Sequence, residues 1–318
     1  MIQPAFWQHD GLLPRLLSPA AAVMGAMTAR RMTRLGWRAP VPVLCCGNAG
    51  VGGAGKTTVV LDLARRLRAR GVAVHCLTRG YGGQVQGVLR VDASAHGAAL
   101  VGDEPLLLAA VAPTWVGADR AASAQAAVAA GAQALLMDDG LQNPGLAKDV
   151  SLLVIDGAVG FGNGRVMPAG PLREPAATAA ARCQAAVLIG LDQAHAGMAL
   201  PRALPVLTAH LVPDTPLHGT RVLAFAGIAR PAKFHATLLQ AGAELAGHID
   251  FADHHNFTAA ELERVLARAA QLDALPVTTP KDAVRLPAGM RRQIAVVGVT
   301  LAWDDEAALE RLLGDAVP

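Results

Sequence analysis

The sequence predicts an α/β protein in which a three-layer α/β/α domain precedes a second, smaller α/β domain. Strand-like apolar runs alternate with amphipathic helical runs from residue 41 to the end of the chain. In each half the order is strand, helix, strand, which is the βαβ unit of a parallel sheet. Between the halves, Leu211 to Thr220 contains two prolines and predicts a linker.

Length and composition agree with two packed domains. The chain has 318 residues, and a domain typically has roughly 100–200. Hydrophobic residues make up 53% of it and charged residues 17%, so it can bury a large core.

Aromatic residues make up only 3% and the net charge is only +3, so we expect no nucleic-acid partner. No obligate protein partner is evident. The four cysteines form no C-x-x-C pair, which indicates a reducing, cytoplasmic compartment.

The first half begins with a predicted buried strand, Val41 to Cys46, and a glycine-rich loop follows it. Thr57 to Arg70 predicts a helix with apolar side chains on one face and arginines on the other, and Gly71 ends it. Val72 to Leu77 predicts the next strand. The other predicted helices are Glu104 to Val111 and Ala118 to Ala130, and the other predicted strands are Ala134 to Met137, Ser151 to Ile155, Ala185 to Ile189 and Val206 to His210.

The second half repeats the alternation. Its predicted strands are Arg221 to Ala226, Glu244 to Asp250, Leu275 to Thr278 and Gln293 to Val297, and its predicted helices are Lys233 to Ala241, Ala259 to Gln271 and Glu306 to Leu313. The predicted divisions are an N-terminal segment over residues 1–40, a first domain over 41–215 and a second over 216–318, whose end is free to pack back on the first. Gly157 to Pro175 is too long for a plain connection, which indicates a working loop.

A phosphate-binding pattern lies in the first loop. Gly50 to Thr57 fits G-x-x-x-x-G-K-[ST], between a predicted strand and a predicted helix. Glycines let successive backbone N–H groups surround phosphates, and the helix adds the positive end of its dipole. In this pattern Lys56 reaches the β- and γ-phosphates and Thr57 binds Mg²⁺. Lys56 is expected to face solvent rather than the core. The first domain is therefore predicted to be P-loop NTPase-like; a purely structural glycine turn is the alternative. The predicted nucleotide-binding residues are Gly50, Val51, Gly52, Gly53, Ala54, Gly55, Lys56, Thr57 and Thr58.

Acidic residues follow two of the predicted elements. Asp138 and Asp139 close an apolar strand, where a Walker-B-type acid holds Mg²⁺ directly or through water. The alternative is a turn or capping role with Gly140. Asp103 stands where it can cap a helix, and an aspartate at that position near a P-loop can also accept a proton.

A histidine motif, Asp253-His254-His255, follows a strand of the second half. Two adjacent histidines cannot both face one metal ion from a helix, so we do not expect zinc here. A histidine across a cleft from an aspartate suits an acid/base pair. Phosphoryl transfer to an alcohol needs magnesium, a phosphate cradle and a proton acceptor, and residues of each type are present. The sequence has no guanine-binding Asn-Lys-x-Asp motif, which favours ATP over GTP.

The N-terminal segment is basic and apolar. Residues 1–40 contain five arginines and one aspartate, a net charge of +4. Arg30, Arg34 and Arg38 recur every four residues, so a helix would align them, and Trp37 suits a headgroup boundary. Pro14 and Pro19 argue against one continuous helix before residue 20. Residues 11–38 are therefore predicted to lie on an anionic membrane surface; a core-packing helix with a solvated basic face is the alternative.

No membrane span or signal peptide is expected. The best candidate for a span, Ala20 to Ala29, has only ten residues, whereas a spanning helix needs about 20. Met1 to Asp10 contains no Lys or Arg, unlike the start of a signal peptide.

Seven segments carry a resemblance to a known family. They are Gly47 to Thr57, Thr78 to Gly83, Val101 to Pro105, Asp138 to Gln142, Gly162 to Pro175, Phe225 to Pro231 with Phe251 to His254, and Val277 to Val284. In this combination and order the chain resembles the tetraacyldisaccharide 4′-kinases, the lipid A kinases of Gram-negative bacteria. It departs from the family pattern at Ala49-Gly50, at Asn143, where a histidine is usual, and at Pro280, where a glutamate is usual.

The resemblance implies an activity and a set of site residues. It implies ATP- and Mg²⁺-dependent phosphorylation of the 4′-hydroxyl of a tetraacylated glucosamine disaccharide 1-phosphate, at the cytoplasmic face of the inner membrane as a peripheral protein. The family's catalytic aspartate corresponds to Asp103 and its partner histidine to His254. Lys56 of the P-loop is the third expected catalytic residue. The family's acids near magnesium fall on Glu104, Asp138 and Asp139.

Two other functional classes share some of these features. A P-loop GTPase or ATPase that acts as a metallochaperone or targeting factor would have the same loop and the same Asp-Asp pair. It would need neither the basic N-terminal segment nor a pairing of Asp103 with His254. A non-catalytic nucleotide-binding scaffold is disfavoured, because Lys56 and Thr57 are both present.

Overall fold

The computed structural model describes residues 4–317, and residues 1–3 of the predicted N-terminal segment lie outside that part, as does residue 318. Within it, thirteen strands form two sheets. The strands are β1 Val43–Gly47, β2 Val74–Thr78, β3 Val88–Arg90, β4 Thr114–Gly117, β5 Ala134–Asp138, β6 Val150–Asp156, β7 Ala185–Ile189, β8 Val206–Pro213, β9 Arg221–Ala226, β10 Glu244–Asp250, β11 Leu275–Thr278, β12 Ala295–Val296 and β13 Val299–Trp303.

Twelve α-helices are described over the same residues. They are α1 Leu12–Leu16, α2 Ser18–Met32, α3 Lys56–Ala69, α4 Ala98–Val101, α5 Asp103–Ala109, α6 Arg120–Ala129, α7 Ala176–Ala180, α8 Pro231–Gln240, α9 Ala259–Gln271, α10 Pro280–Ala283, α11 Ala288–Arg291 and α12 Glu306–Ala316. Short 3-10 turns cover Ala5–Gln8 and Ala196–Ala199.

The larger sheet has the strand order β13-β8-β7-β6-β1-β5-β2-β4-β3 over the described residues. Its interior strands are parallel, and the antiparallel pairs β8–β13 and β3–β4 lie at its two edges. Helix α3 covers one face with Val60, Leu63 and Leu67, all buried in the core cluster on that side. Helix α6 covers the other face with Ala124 and Ala127. The predicted three-layer α/β/α arrangement is confirmed.

The smaller sheet has the order β10-β9-β11-β12 over the described residues, and its strands are parallel. Phe234 and Leu238 of α8 are buried on one face, and Leu262 and Val265 of α9 on the other. Helix α9 begins with a complete capping box between Thr258 and Glu261. The second half is therefore a smaller α/β unit of the same kind, as predicted.

The end of the chain lies on the larger sheet. Strand β13 pairs antiparallel with β8, and Trp303 and Leu309 are buried in the core that α3 also covers. The Trp303 indole N–H donates to the Asp62 carboxylate on α3 at 2.9 Å. Arg66 on α3 pairs with Glu306 on α12 at 2.6 Å.

Several predicted elements were wrong in extent. Leu211 was predicted to begin the linker, but β8 continues to Pro213, because pairing with β13 satisfies its backbone there. The predicted strand from Gln293 to Val297 is reduced to Ala295–Val296. Strands β3 and β13 were not predicted at all. Both are short edge strands whose pairing partners come from elsewhere in the chain.

The N-terminal segment forms two helices that break at Leu17, as the prolines predicted. Helix α2 ends at Met32, so the expected alignment of Arg34 and Arg38 on one helix is wrong. Arg38 instead pairs with Asp149 at 2.9 Å. The Trp37 side chain packs against the core of the larger sheet and is not free for a headgroup boundary.

Several large apolar side chains of this N-terminal segment are exposed. They are Leu12, Leu13, Leu16, Val23, Met24, Met27 and Leu35. Among the helices of residues 4–317, none combines the length and the apolar character that a bilayer span requires.

Candidate active site

The carboxyl edge of the larger sheet gathers the predicted site residues. Cys46 of β1 lies opposite Asp138 of β5 in the parallel ladder, so the loop after β1 and the acids after β5 leave the sheet side by side. Ligands of α/β proteins bind in the crevice at this edge. The register therefore places Gly50 to Thr57 beside Asp138 and Asp139.

The glycine-rich loop has the backbone that its sequence predicts. Gly52 and Gly55 have φ values of 113° and 88°, which favour glycine. A Cβ on Gly55 would lie 2.6 Å from Ile189 Cδ1, at the end of strand β7, so close packing also requires glycine there. The Val51 N–H donates to the Pro171 carbonyl at 2.9 Å. This bond joins the phosphate loop to the predicted working loop, Gly157 to Pro175.

Lys56 and Thr57 begin α3, and Thr58 follows them in its first turn. The Lys56 ammonium donates to Asn48 Oδ1 at 3.0 Å and lies 3.7 Å from Asp139 Oδ1. Only 11% of the Lys56 side chain is exposed, so the expectation that it faces solvent is wrong. The neighbouring amide and carboxylate hold the ammonium against the loop.

Asp138 is the least compensated acid of the site. Its Oδ2 accepts a hydrogen bond from the Thr57 hydroxyl at 3.0 Å. Its Oδ1 is buried and has no hydrogen-bond partner among the described residues. Burial raises the pKa of Asp138 to about 7, although Lys56 opposes the shift.

Asp139 has the opposite environment. Its φ is 53°, and its two carboxylate oxygens accept from Arg173 at 2.9 and 3.0 Å. Burial alone would raise the pKa of Asp139, but Lys56 and Arg173 outweigh burial and hold that pKa below its usual value. Asp139 is therefore a paired carboxylate at the foot of the phosphate loop.

Asp103 and His254 meet across the two halves of the chain. Asp103 is the first residue of α5, with Gly102 rather than Asp103 in the capping position, and its side chain is buried. Its Oδ2 lies 2.8 Å from His254 Nδ1, in the loop after β10. His254 has a φ of 59°, and its backbone N–H donates to the Gly227 carbonyl at 3.0 Å. The pairing predicted from the sequence motifs is present.

A buried arginine supports that pair. The Arg285 side chain is only 3% exposed, its Nε lies 3.7 Å from Asp103 Oδ1, and its Nη2 donates to Asp282. Nη2 also donates to the Gly227 carbonyl at 3.0 Å, so Arg285 and His254 share this acceptor. Arg285 therefore positions both the Asp103 side chain and the loop that contains His254.

Glu104 lies beside Asp103 in the first turn of α5. Its carboxylate pairs with Lys281 Nζ at 2.9 Å. No hydrogen bond joins the Asp103–His254 pair to Lys56 or Thr57 within residues 4–317.

Sequence reasoning missed several residues of this site. Asn48 and Arg173 lie inside segments that carried the family resemblance, but their contacts with Lys56 and Asp139 have no sequence signal of their own. Arg285 directly follows one of those segments. Of the departures from the family pattern, Asn143 caps a turn through the Gly145 N–H at 2.9 Å, and Pro280 begins α10.

Comparison with known proteins decides the family. The family model described as "LpxK: Tetraacyldisaccharide-1-P 4'-kinase" matches residues 13–317. The chain belongs to the tetraacyldisaccharide 4′-kinase family. It is 59% identical to the tetraacyldisaccharide 4′-kinase of Gluconacetobacter diazotrophicus, over 98% of this chain and 97% of that protein. It is 56% identical to that of Rhodospirillum centenum, over 98% and 96%.

A solved structure of this kinase family has the same fold. It is described as the "apo" form of LpxK from Aquifex aeolicus in complex with ATP. It matches with a TM-score of 0.78 at 24% identity, over 96% of this chain and all of that one. These matches favour kinase membership over the metallochaperone or targeting-factor alternative.

Arg285 provides a test of how the site is held together. Arg285→Met leaves Asp103 and Asp282 buried without their cation, and breaking a buried ion pair in this way costs about 3–5 kcal/mol. We expect the free energy of unfolding in urea to fall by that amount. Arg264→Met, at an exposed position of α9, is the control and should change it by less than about 0.5 kcal/mol. Equal urea midpoints for the two variants would contradict a stabilising role for Arg285.

Proposed function

We propose that the chain is an ATP-dependent kinase that phosphorylates the 4′-hydroxyl of a tetraacylated glucosamine disaccharide 1-phosphate in lipid A biosynthesis. The observation that carries the proposal is the family match over residues 13–317, in a chain whose phosphate loop and acid/base pair are both intact. Each part of the reaction then has a residue suited to it.

The phosphate loop binds ATP. Backbone N–H groups of residues 50–55 and the N-terminal end of α3 surround the phosphates, and Thr58 continues that turn. Lys56 neutralises the β- and γ-phosphates in place of its present contact with Asp139. Asn48, which accepts from Lys56, keeps the ammonium aimed into the loop.

Thr57 and Asp138 fit a magnesium site. The unpartnered, buried Asp138 Oδ1 is the kind of hard oxygen ligand that Mg²⁺ prefers, and the Thr57 hydroxyl lies beside it. When bound, Mg²⁺ neutralises charge on the β- and γ-phosphate oxygens. Asp139 and Glu104 are already paired with cations, so they would be less available than Asp138 to hold the ion directly.

Asp103 and His254 accept the proton of the acceptor. The acceptor oxygen bonds to the γ-phosphorus, the bond from that phosphorus to the β-phosphate oxygen breaks, and ADP leaves. The hydroxyl proton passes to the Asp103–His254 pair, in which the hydrogen bond at Nδ1 fixes the orientation of the imidazole ring. Arg285, whose Nε lies 3.7 Å from Asp103 Oδ1, helps to hold the Asp103 side chain in place.

The N-terminal helices bind the lipid. A groove of about 440 Å³ lies between α2 and the working loop, and small side chains of α2 line one side of it: Ala21, Ala22, Gly25, Ala26 and Ala29. Its apolar wall suits an acyl chain. With the exposed apolar side chains of α1 and α2, the groove supports a peripheral position at the cytoplasmic face of the inner membrane.

The activity is tested by following phosphate transfer from ATP to the lipid disaccharide with Mg²⁺ present. We expect wild-type protein to transfer, and Lys56→Ala to lose about 10²–10³-fold in kcat, as when one preorganised charge or donor is removed. Asp139 keeps its bidentate Arg173 partner in this variant, so the circular dichroism spectrum should be unchanged. Arg65→Ala, exposed on α3, is the control. Wild-type rates in folded Lys56→Ala would refute the phosphate-loop assignment.

The Asp103–His254 pair is tested by a double-mutant comparison. Removing a general base costs about 10²–10⁴-fold, and residues that act as one unit lose non-additively. Asp103→Ala, His254→Ala and the double variant should therefore lose similar factors in kcat. Single losses that multiply in the double variant would show that the two residues act separately.

Membrane association is tested with vesicles. Arg30, Arg31 and Arg34 contribute about 1 kcal/mol each near an anionic leaflet, which is roughly a hundredfold in partitioning. The protein should pellet with anionic vesicles more than with neutral ones, and high salt should release part of it. Replacing Leu12, Leu16 and Met27 together by Ser should weaken binding, whereas Leu239→Ser, exposed on α8, should not. Equal binding by both variants would contradict the assignment of this surface.

A further inference from the structure

A second set of contacts joins the two halves at the phosphate loop. Arg230 lies directly before α8, and its Nη2 donates to the Gly53 carbonyl at 2.7 Å and to Asp156 Oδ2 at 2.6 Å. Lys233, in the first turn of α8, donates to the same Asp156 oxygen at 2.6 Å. Asp156 ends β6 at the carboxyl edge of the larger sheet, and its side chain is 10% exposed.

This cluster has more positive than negative charge. Two cations share one carboxylate, and within residues 4–317 neither has a second carboxylate partner. Burial alone would raise the pKa of Asp156, but Lys233 and Arg230 outweigh it and hold that pKa below its usual value. One positive charge therefore stays uncompensated beside the loop that receives phosphates.

The guanidinium also contacts the phosphate loop itself. Gly53 lies in the middle of the phosphate loop, whose backbone N–H groups point toward the phosphates. Arg230 holds the carbonyl of this residue, so its guanidinium lies next to the peptide that lines the cradle. Its hydrogen bonds to described residues use Nη2, which leaves Nη1 and Nε to donate elsewhere. Arginine presents these donors in a rigid planar fork suited to phosphate.

We propose that Arg230 is an arginine finger that the second half of the chain supplies to the first. The proposal rests on the kinase activity proposed above. With ATP in the loop, the free donors of Arg230 bind the γ-phosphoryl oxygens and stabilise their charge as the phosphoryl group leaves the β-phosphate oxygen and bonds to the acceptor oxygen. Asp156 positions the finger because it accepts directly from Arg230, and Lys233 is a second donor to the same oxygen that helps to hold α8 against the end of β6.

The competing explanation is a purely structural latch, in which Arg230 only holds the two halves together. The two explanations differ in what Lys233→Ala does. That variant weakens the latch but leaves the guanidinium in place, whereas Arg230→Ala removes the guanidinium and leaves the ion pair of Lys233 with Asp156. A latch predicts similar losses in both variants, and a finger predicts a much larger loss for Arg230→Ala.

The experiment measures kcat and ATP affinity separately. Arginine fingers contribute about 10³–10⁵-fold to kcat, so we expect Arg230→Ala to lose at least about 10³-fold in kcat. The dissociation constant of a fluorescent ATP analogue should rise by less than about tenfold, because a finger acts mainly in the transition state. Lys233→Ala should lose less than about tenfold in kcat, and Arg230→Lys should recover part of the loss. Arg264→Ala, exposed on α9, is the surface control.

Two readouts separate this inference from the proposed function. Transfer to the lipid disaccharide and slow hydrolysis of ATP by water are measured on the same variants. Loss of both activities in Arg230→Ala supports the finger. If the wild type itself fails to phosphorylate the lipid, only the proposed acceptor is refuted. In that case, loss of ATP hydrolysis in Arg230→Ala still supports the finger. Equal losses in Arg230→Ala and Lys233→Ala, or an ATP affinity that falls as far as kcat, would overturn the finger.

Discussion

The parallel pairing of β1 with β5 is the constraint on which the site depends. It sets Cys46 opposite Asp138, so the phosphate loop and the Asp138–Asp139 acids leave the sheet at the same edge. Thr57 then reaches Asp138 at 3.0 Å without any distortion of α3. A shift of one residue in this register would turn Asp138 to the other face of the sheet and separate it from the threonine hydroxyl. The buried core on both faces of the sheet fixes this register, and it therefore also fixes the position of Asp138 relative to Thr57.

Charge pairing divides the acids of the site into two classes. Four of the acids have a cationic partner: Asp139 pairs with Arg173, Asp103 with Arg285, Asp156 with Arg230 and Lys233, and Glu104 with Lys281. Buried carboxylates are costly unless they are paired in this way. Asp138 has only a hydroxyl on one oxygen and nothing described on the other, and burial raises its pKa to about 7. A divalent cation would complete this last carboxylate, which is why the magnesium site proposed above centres on Asp138 rather than on its neighbours.

Much of the fold could be predicted from periodicity and glycine positions. The predicted elements Ala185 to Ile189, Arg221 to Ala226 and Ala259 to Gln271 have the observed bounds, because apolar runs flanked by polar or glycine residues mark buried elements. Edge strands β3 and β13 lack that signal, since each pairs with a strand that is distant in the sequence. The site shows the same division. Lys56, Thr57 and Asp138 belong to local motifs, whereas the partners Asn48, Arg173 and Arg285 are set by tertiary packing.

The two sheets present their carboxyl edges to one another, and this arrangement explains why the site has contributions from both. Arg230 follows β9, His254 follows β10 and Arg285 follows β11. Their partners in the first half, Gly53, Asp103 and Asp156, all lie at the carboxyl edge of the larger sheet or in the loops beyond it. Parallel strands direct all their following loops to one edge, so three separate loops of the smaller sheet can reach one crevice. The proposed site therefore combines the phosphate loop of the first half with His254 and the Arg230 guanidinium of the second half.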